Sequence, residues 1–351
     1  MLFGPLDPNL LFHFPGWVTV RAIYQQEYGS PQTLALTELE RPSIRRDEVR
    51  ICVHAAGLHI GDAFAVRGTP FLMRMETGWR RPRYGVPGFD VAGVVESVGA
   101  NVKQWKPGDA VFGACKGSCA ELVSAKQDHI AAKPNNLTYA QAAALPTSGL
   151  AALHALRNVA RVTAGQKVLI NGASGGVGTY AVQIAKAFGA GVTGVCSDRN
   201  AGLVRSIGAD HVIAYDHSDF AAGQQRYDVI LDNVENRSLH DCRRVLAPSG
   251  ILILNSGTGA SGLSLLWRIA KPLLLSPFSR QRLRRYLSMP NRKDLETLTS
   301  LIDAGSLSPV IDRCYTLDET ASAVQHLEAG HARGKVVVLV QSDSETAGTE
   351  P

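Results

Sequence analysis

The 351-residue sequence contains no C-x-x-C pair. Its six cysteines stand far apart, at positions 52, 115, 119, 196, 242 and 314. Cys115 and Cys119 lie close together, but no second pair answers them, which argues against a zinc knuckle. The pattern fits reduced thiols in an intracellular, cytoplasmic protein. An apolar run long enough to span a bilayer is also missing. The most apolar window, 142–156, is short and broken by Pro146, His154 and several polar residues. The first basic residue is Arg21, so the start MLFGPLDPNLLFHF lacks the charged region of a signal peptide and the arginines of a transit peptide. Residues 1–19 are read as an extension or an upstream start, and the polar tail 342–351 as disordered. Charge of one sign is not in large excess. The net charge is +5 and charged residues make up 19%, which does not argue for nucleic acid.

What is present is a glycine-rich turn in an informative setting. Residues 166–196 read QKVLINGASGGVGTYAVQIAKAFGAGVTGVC. The apolar run Val168-Leu169-Ile170 precedes Gly172, Gly175, Gly176 and Gly178. Val177, Ala181, Ile184, Ala185 and Phe188 then recur at helical spacing, Gly189 closes that helix, and a second apolar run spans Val192 to Val195. Strand, tight turn, helix and strand together form the context in which a dinucleotide fingerprint is credible. Glycines let the backbone approach a pyrophosphate, and the helix N-terminus offers it N–H groups and positive dipole. Ser174, Gly175, Gly176, Val177 and Gly178 are therefore the candidate phosphate cradle.

The end of the second strand bears on which dinucleotide binds. Units that take NAD place an acid there to hold the ribose 2′-hydroxyl. This chain has Cys196 and Ser197, followed by Asp198, Arg199 and Asn200. A thiol and a hydroxyl do not repel a 2′-phosphate, and the Arg199 guanidinium can grip one. NADPH is the expected cofactor, with Asp198 as the dissenting residue.

At this length two domains are the default. Residues 20–135 hold short strand-like runs, such as 49–53, 91–98 and 110–112, separated by turns at 99–101 and 106–109. An alanine-rich helical pattern runs from Leu137 through Leu156. Strand candidates at 211–214, 227–231 and 251–254 leave room for intervening helices, as in a doubly wound parallel sheet. The chain then reads helix (294–304), strand (310–315), helix (318–329) and strand (336–340).

These phrases together resemble the zinc-free quinone oxidoreductase branch of the medium-chain dehydrogenase/reductase family. The resemblance covers about residues 20–340 and rests on HAAGLHIGDAFAVRG, VPGFDVAGVVESVG, KPGDAVFG, AAALPTSGLAAL, GQKVLINGASGGVGTYAVQIAKAFGA, YDVILDNV and GHARGKVVV. Within that branch the chain is similar to the subgroup of reticulon-interacting mitochondrial reductases and chloroplast enone reductases. The resemblance implies an α/β fold: a GroES-like β-barrel catalytic domain (20–145 and 293–341) with an inserted Rossmann doubly wound parallel-sheet domain (146–292).

Residue by residue, the resemblance puts His59 where zinc relatives carry a cysteine, Phe89 where they carry a histidine, and Ala144 near a further cysteine. One imidazole cannot hold zinc, so no metal is expected. His59 also departs from the asparagine usual in zinc-free relatives. It can donate a proton near neutral pH after hydride arrives, or it can simply pack or bond the nicotinamide ribose. Asp62 either orients His59 or holds the turn, and Arg67 with Asp90 is expected to form a buried ion pair. Tyr215 is implied near the adenosine phosphate, and Asn233 and Val234 near the nicotinamide ribose. Asn255, Ser256 and Gly257 are implied near the nicotinamide amide. Arg333, Gly334 and Lys335 either reach back toward the phosphates or form a solvated basic turn.

Residues 263–292 contain seven basic residues and no acid. They are read as a cleft cover, with RLRRYLSM as an edge strand pairing two copies into a homodimer, in preference to membrane-surface contact. The expected activity is NADPH-dependent hydride transfer to a quinone or α,β-unsaturated carbonyl (enone), without zinc. An enoyl-thioester reductase is the nearest alternative, and a non-catalytic NADPH-binding structural or sensor protein is the alternative of another class.

Overall fold

The computed structural model describes residues 19–69, 71, 74–255 and 280–341. Residues 1–18, the tail 342–351, Ser256, Gly257 and most of the basic apolar stretch (263–279) lie outside the described residues.

Strands β1 (Thr19–Tyr24) and β2 (Ala35–Glu40) pair as an antiparallel ribbon, so residue 19 belongs to the fold and not to an extension. β3 (Glu48–Leu58) is the long central strand of a seven-stranded sheet and is buried along most of its length. The chain continues through α1 (Ile60–Arg67), α2 (Arg74–Thr77), β4 (Asp90–Val98), β5 (Ala110–Ala114), β6 (Leu122–Lys126) and β7 (Ile130–Ala132). Helices α3 (Tyr139–Ala144) and α4 (Pro146–Leu153), with a π-helical extension His154–Ala160, carry it into the second half.

That half alternates strand and helix: β8 (Lys167–Asn171), α5 (Gly176–Ala187), β9 (Gly191–Cys196), α6 (Ala201–Ser206), β10 (His211–Ala214), β11 (Tyr227–Asp232), α7 (Leu239–Arg244), β12 (Leu246–Leu254) and β13 (Arg282–Arg284). All its pairings are parallel, in the order β10-β9-β8-β11-β12-β13. Counted along the chain this is 3-2-1-4-5-6, the Rossmann order, which reverses between β8 and β11. Val168, Leu169 and Ile170 are fully buried, as a strand covered on both faces requires. α8 (Arg292–Asp303), β14 (Ile311–Thr316), α9 (Thr320–Glu328) and β15 (Lys335–Leu339) then return to the first sheet, where β15 pairs with β3. The fold is thus a GroES-like barrel with a Rossmann sheet inserted.

RLRRYLSM forms the expected edge strand over its first three residues alone. Only Arg282–Arg284 pair, in parallel with β12 at the sheet edge. The following residues are drawn off the sheet toward α4, where the Tyr286 hydroxyl donates to the Ala151 carbonyl at 2.7 Å.

One apolar core crosses between the halves. It runs from Ala92 and Phe112 of the barrel, through Ala143, Leu145 and Leu153, to Val168, Ile170 and Tyr180. Small residues allow the close approach: a Cβ on Gly57 of β3 would lie 2.0 Å from the Ala143 carbonyl oxygen. The Tyr180 hydroxyl donates to the Ala144 carbonyl at 2.9 Å and fixes α5 against α3.

The turn between β8 and α5 is equally tight. Gly172 has φ +77, and a Cβ on Gly178 would stand 2.0 Å from the Gly172 carbonyl oxygen. At Gly176 the nearest atoms would be side-chain atoms at 3.3 Å. Gly178→Ala should therefore cost about 3 kcal/mol or more of folding stability, while Gly176→Ala stays within about 1 kcal/mol. Urea unfolding of the two variants checks this, and equal losses would contradict the packing argument.

Candidate active and cofactor site

The glycine turn stands where the two halves meet, against the segment leading into β15. Gly175 precedes α5 in extended conformation, and no side chain caps this helix. Its first N–H groups are thus available to an anion. A Cβ on Gly175 would meet nothing nearer than 3.4 Å, so the open side of the turn is a space that only bulkier side chains would fill. Val177 is half-buried in the first helical turn. A backbone bridge joins Gly175 to Gly334, so the strand leading into β15 lies directly on the turn. Gly334 has φ +103, and a Cβ there would strike the Val310 carbonyl oxygen at 2.3 Å.

Lys335 is buried, not solvated, whereas Arg333 is exposed, so the expected basic turn divides into two environments. The Lys335 ammonium lies 3.5 Å from an Asp90 carboxylate oxygen. The other Asp90 oxygen accepts from the Thr147 amide at 3.0 Å and from its hydroxyl at 2.5 Å. Burial pushes the Asp90 carboxyl up, and the Lys335 charge pulls it back. The expected Arg67–Asp90 pair does not form. Arg67 instead makes a bidentate surface contact with Glu328, at 2.6 and 2.7 Å, because α9 packs beside α1.

At the end of β9, Ser174, Ser197 and Asn200 converge. The Asn200 amide donates to the Ser174 hydroxyl at 3.1 Å, while the Ser197 hydroxyl and the Asn200 amide oxygen are buried with no partner. Such orphaned polar atoms fit a ribose or phosphate that supplies the missing bonds. Arg199 and Asp198 are exposed on the same turn. Asp216 accepts from the Asp198 amide at 2.7 Å, a second acid in this corner that sequence reasoning missed. Tyr215 is about half exposed beside it, its backbone N–H donating to the Cys196 carbonyl at 3.0 Å.

The ends of β8, β11 and β12 are tied by side-chain amides. Asn233 donates to the Asn171 carbonyl at 3.1 Å, and Asn255 donates to the Asn233 side chain at 2.8 Å. Buried Asp232 accepts from the Val234 and Glu235 amides at 3.1 and 2.8 Å and from the Asn171 side chain at 2.8 Å. These bonds settle the path of the DNVEN loop: Glu235 adopts φ +56, a conformation that glycine takes more readily. Its carboxylate is held in a bidentate pair by Arg285, at 2.9 and 2.6 Å.

His59 caps α1. Its Nδ1 accepts from the Gly61 amide at 2.9 Å, and its ring stacks on Phe89 with centroids 5.5 Å apart. The proton of a neutral ring therefore sits on Nε2. Burial, together with the Lys335 charge and against the opposing pull of Asp90, lowers its pKa to about 4. Of the two readings open for His59, this environment favours a neutral hydrogen-bonding group over an acid titrating near neutrality. Asp62 bonds the backbone of the turn, its carboxylate standing 3.7 Å from the His59 Nδ1. The carboxylate accepts the His59 backbone N–H at 2.8 Å and the Gly88 amide at 3.0 Å, and with Nδ1 already accepting there is no ring proton left for it. Burial raises Asp62 to about 7 despite these bonds. Asp62 holds the turn.

A cleft of about 980 Å³ is lined by His59, Phe89 and Thr147 from the barrel side and by Leu287, Ser288, Met289 and Pro290 from the chain after β13. These last residues belong to the stretch read as a cleft cover, although the alternation of RLRRYLSM reads as strand. Among the described residues, no three His, Cys, Asp or Glu side chains are grouped to hold a metal.

Comparisons with known proteins agree with this architecture. Residues 45–214 match the alcohol dehydrogenase GroES-like domain, and residues 207–338 match the zinc-binding dehydrogenase domain. The chain is 32% identical to the mitochondrial NAD(P)H oxidoreductase RTN4IP1 of Mus musculus, over 93% of this chain and 89% of that protein. It is also 32% identical to a 2-methylene-furan-3-one reductase of Solanum lycopersicum, over 89% of this chain and 77% of that protein. Among solved structures, a quinone oxidoreductase from Coxiella burnetii superposes with a TM-score of 0.80 at 31% identity, covering 92% of this chain and all of that one.

The His59 environment carries a pH prediction. Its folded pKa of about 4 lies below the ordinary 6.5, so the unfolded chain takes up the proton first and folding loses stability as pH falls from 6.5 toward 4. His59→Asn keeps a good cap and removes that loss, which is on the order of 1–3 kcal/mol. Unfolding midpoints at pH 7.5 and 4.5 check it. Wild type should lose more than the variant, and parallel losses would contradict the assignment.

Proposed function

The chain belongs to the medium-chain dehydrogenase/reductase family, in its quinone oxidoreductase branch, and from that premise we propose an NADPH-dependent, zinc-independent reductase of quinones or α,β-unsaturated carbonyls. The observation that carries the reading is the meeting of the glycine turn, Gly334 and Lys335 beside a cleft lined by His59 and Phe89. A bound dihydronicotinamide would supply the hydride, and the protein would supply orientation and exclusion of water.

In this reading Ser174 to Gly178 and Lys335 hold the pyrophosphate. Ser197, Arg199 and Asn200 hold the adenosine ribose and its 2′-phosphate, with Tyr215 alongside. Asn233, Val234 and Asn255 hold the nicotinamide end. His59 donates Nε2–H to the acceptor's carbonyl oxygen, drawing electron density from the carbon that receives hydride. Zinc is dispensable because Phe89 and Ala144 offer no donor atom and His59 has committed Nδ1 to the Gly61 amide. An acceptor that is already electrophilic needs no such Lewis acid. β13, at the sheet edge, is the proposed seam of a homodimer, and the six free thiols suit a cytoplasmic compartment.

The test is NADPH consumption across a panel of quinones, enones and enoyl thioesters. Turnover confined to thioesters would replace this reading with an enoyl-thioester reductase. Cofactor binding with no turnover on any acceptor would make the chain a binding protein.

The cofactor preference and the metal independence each carry a prediction. A charge-assisted hydrogen bond is worth about 1.5–3 kcal/mol, and exposed Arg199 belongs at the low end. Arg199→Ala should weaken NADPH by roughly tenfold while sparing NADH. Equal losses for both cofactors, measured by fluorescence titration, would reject the 2′-phosphate contact. Dialysis against a strong chelator should leave turnover unchanged. Activity that disappears and returns with zinc would reject the metal-free reading.

A further inference from the structure

Beside the cleft lies a hydrogen-bonded chain that the proposed function does not use. His154 opens the π-helical segment after α4, an irregularity that recurs at functional sites. Its Nδ1 lies 2.8 Å from the Ser288 hydroxyl, and its Nε2 lies 2.7 Å from an Asp294 carboxylate oxygen. Asp294 also accepts from Asn291 at 2.8 Å and from Arg157 at 2.5 Å. His154 and Asp294 are buried, whereas Ser288 is partly exposed and lines the cleft that holds His59, Phe89 and Thr147. The polar groups around the imidazole therefore come from three elements: Arg157 from its own helix, Ser288 from the chain after β13, and Asn291 and Asp294 from the start of α8.

We propose that Ser288, His154 and Asp294 form the proton-delivery relay of the reductase, an inference that rests on the reductase reading given above. Hydride arrival leaves the acceptor as an enolate or a hydroquinone anion. In the charged relay, His154 carries protons on both nitrogens, with Nε2–H donating to Asp294 and Nδ1–H donating to Ser288. The Ser288 O–H bond breaks as its proton passes to the anion, and the Nδ1 proton replaces it on Ser288. The imidazole is left neutral, with its proton on Nε2, and solvent recharges it after product leaves. No electron moves in the relay. Asp294 stays ionised throughout: although burial opposes it, bonds from Asn291, Arg157 and His154 hold its pKa at about 2. The Nε2 proton therefore remains on the ring, and the Ser288 side is the open direction. His59 does not take this role: with its Nδ1 accepting from the Gly61 amide the ring is neutral, and giving up the Nε2 proton would leave an imidazolate.

The test compares Ser288→Ala and Ser288→Thr with wild type. Alanine should lower turnover by roughly 10²-fold with NADPH affinity held within about threefold. The solvent deuterium isotope effect on kcat should rise, and the primary effect from C4-deuterated NADPH should shrink, because proton donation becomes limiting. Threonine keeps a hydroxyl and should restore most of the rate. A readout independent of turnover is ¹⁵N NMR of the His154 ring in the cofactor-free protein. Ser288→Ala should move the Nδ1 resonance, and Asp294→Asn should move Nε2. An active wild type with an unimpaired Ser288→Ala variant and unchanged isotope effects would overturn the relay alone. So would a threonine variant no better than alanine. A wild type inert toward every acceptor would overturn the reductase reading, and the relay with it.

Discussion

The Lys335 ammonium and the Asp90 carboxylate meet at the seam between the two sheets, both cut off from solvent. The pair sits at the first residues of β15 and β4, and Thr147 at the start of α4 bonds the same carboxylate. The turn Gly172–Gly178 lies against this point through the Gly175–Gly334 bridge. A buried ion pair is weak evidence for stability, because desolvating two charges costs about as much as their attraction returns. What the arrangement does provide is position. It keeps a cation beside the glycine turn, where an anion bound to α5 would meet it. The same charge reaches His59 and, after burial, is the larger cause holding that ring neutral.

Much of the fold is legible in the sequence because local sterics write it there. Gly172 opens the turn and Gly189 closes the helix, both at positive φ, and Gly178 leaves no room for a side chain. The apolar runs that become β8, β9, β11 and β12 are buried on both faces, so length and spacing were enough to identify a parallel sheet. The His211–Ala214 strand has the bounds that its sequence run suggests.

The site was less legible, because its chemistry depends on partners far away in the chain. Nothing local to His59 announces Lys335. Nothing local to Arg67 prefers Glu328 over Asp90, since that choice follows from α9 packing beside α1. Glu235 stands in a conformation suited to glycine because Asp232 and Arg285 hold it there, and Arg285 belongs to a segment that alternates like a strand. That alternation also hid Ser288, whose place is set by the pull of the chain toward α4. The glycine turn encodes its own shape, whereas the imidazoles and carboxylates take their character from the assembled fold.

The central claim is that the cleft between the sheets binds NADPH through the glycine turn and the buried Lys335 charge. The most direct measurement is NADPH titration of wild type and Lys335→Gln across a range of salt concentrations, with far-UV circular dichroism to confirm folding. The variant should bind at least about tenfold more weakly, as loss of a charge-assisted contact requires, and its affinity should depend less on salt. A folded Lys335→Gln protein that binds NADPH as tightly as wild type, with the same salt dependence, would contradict the account.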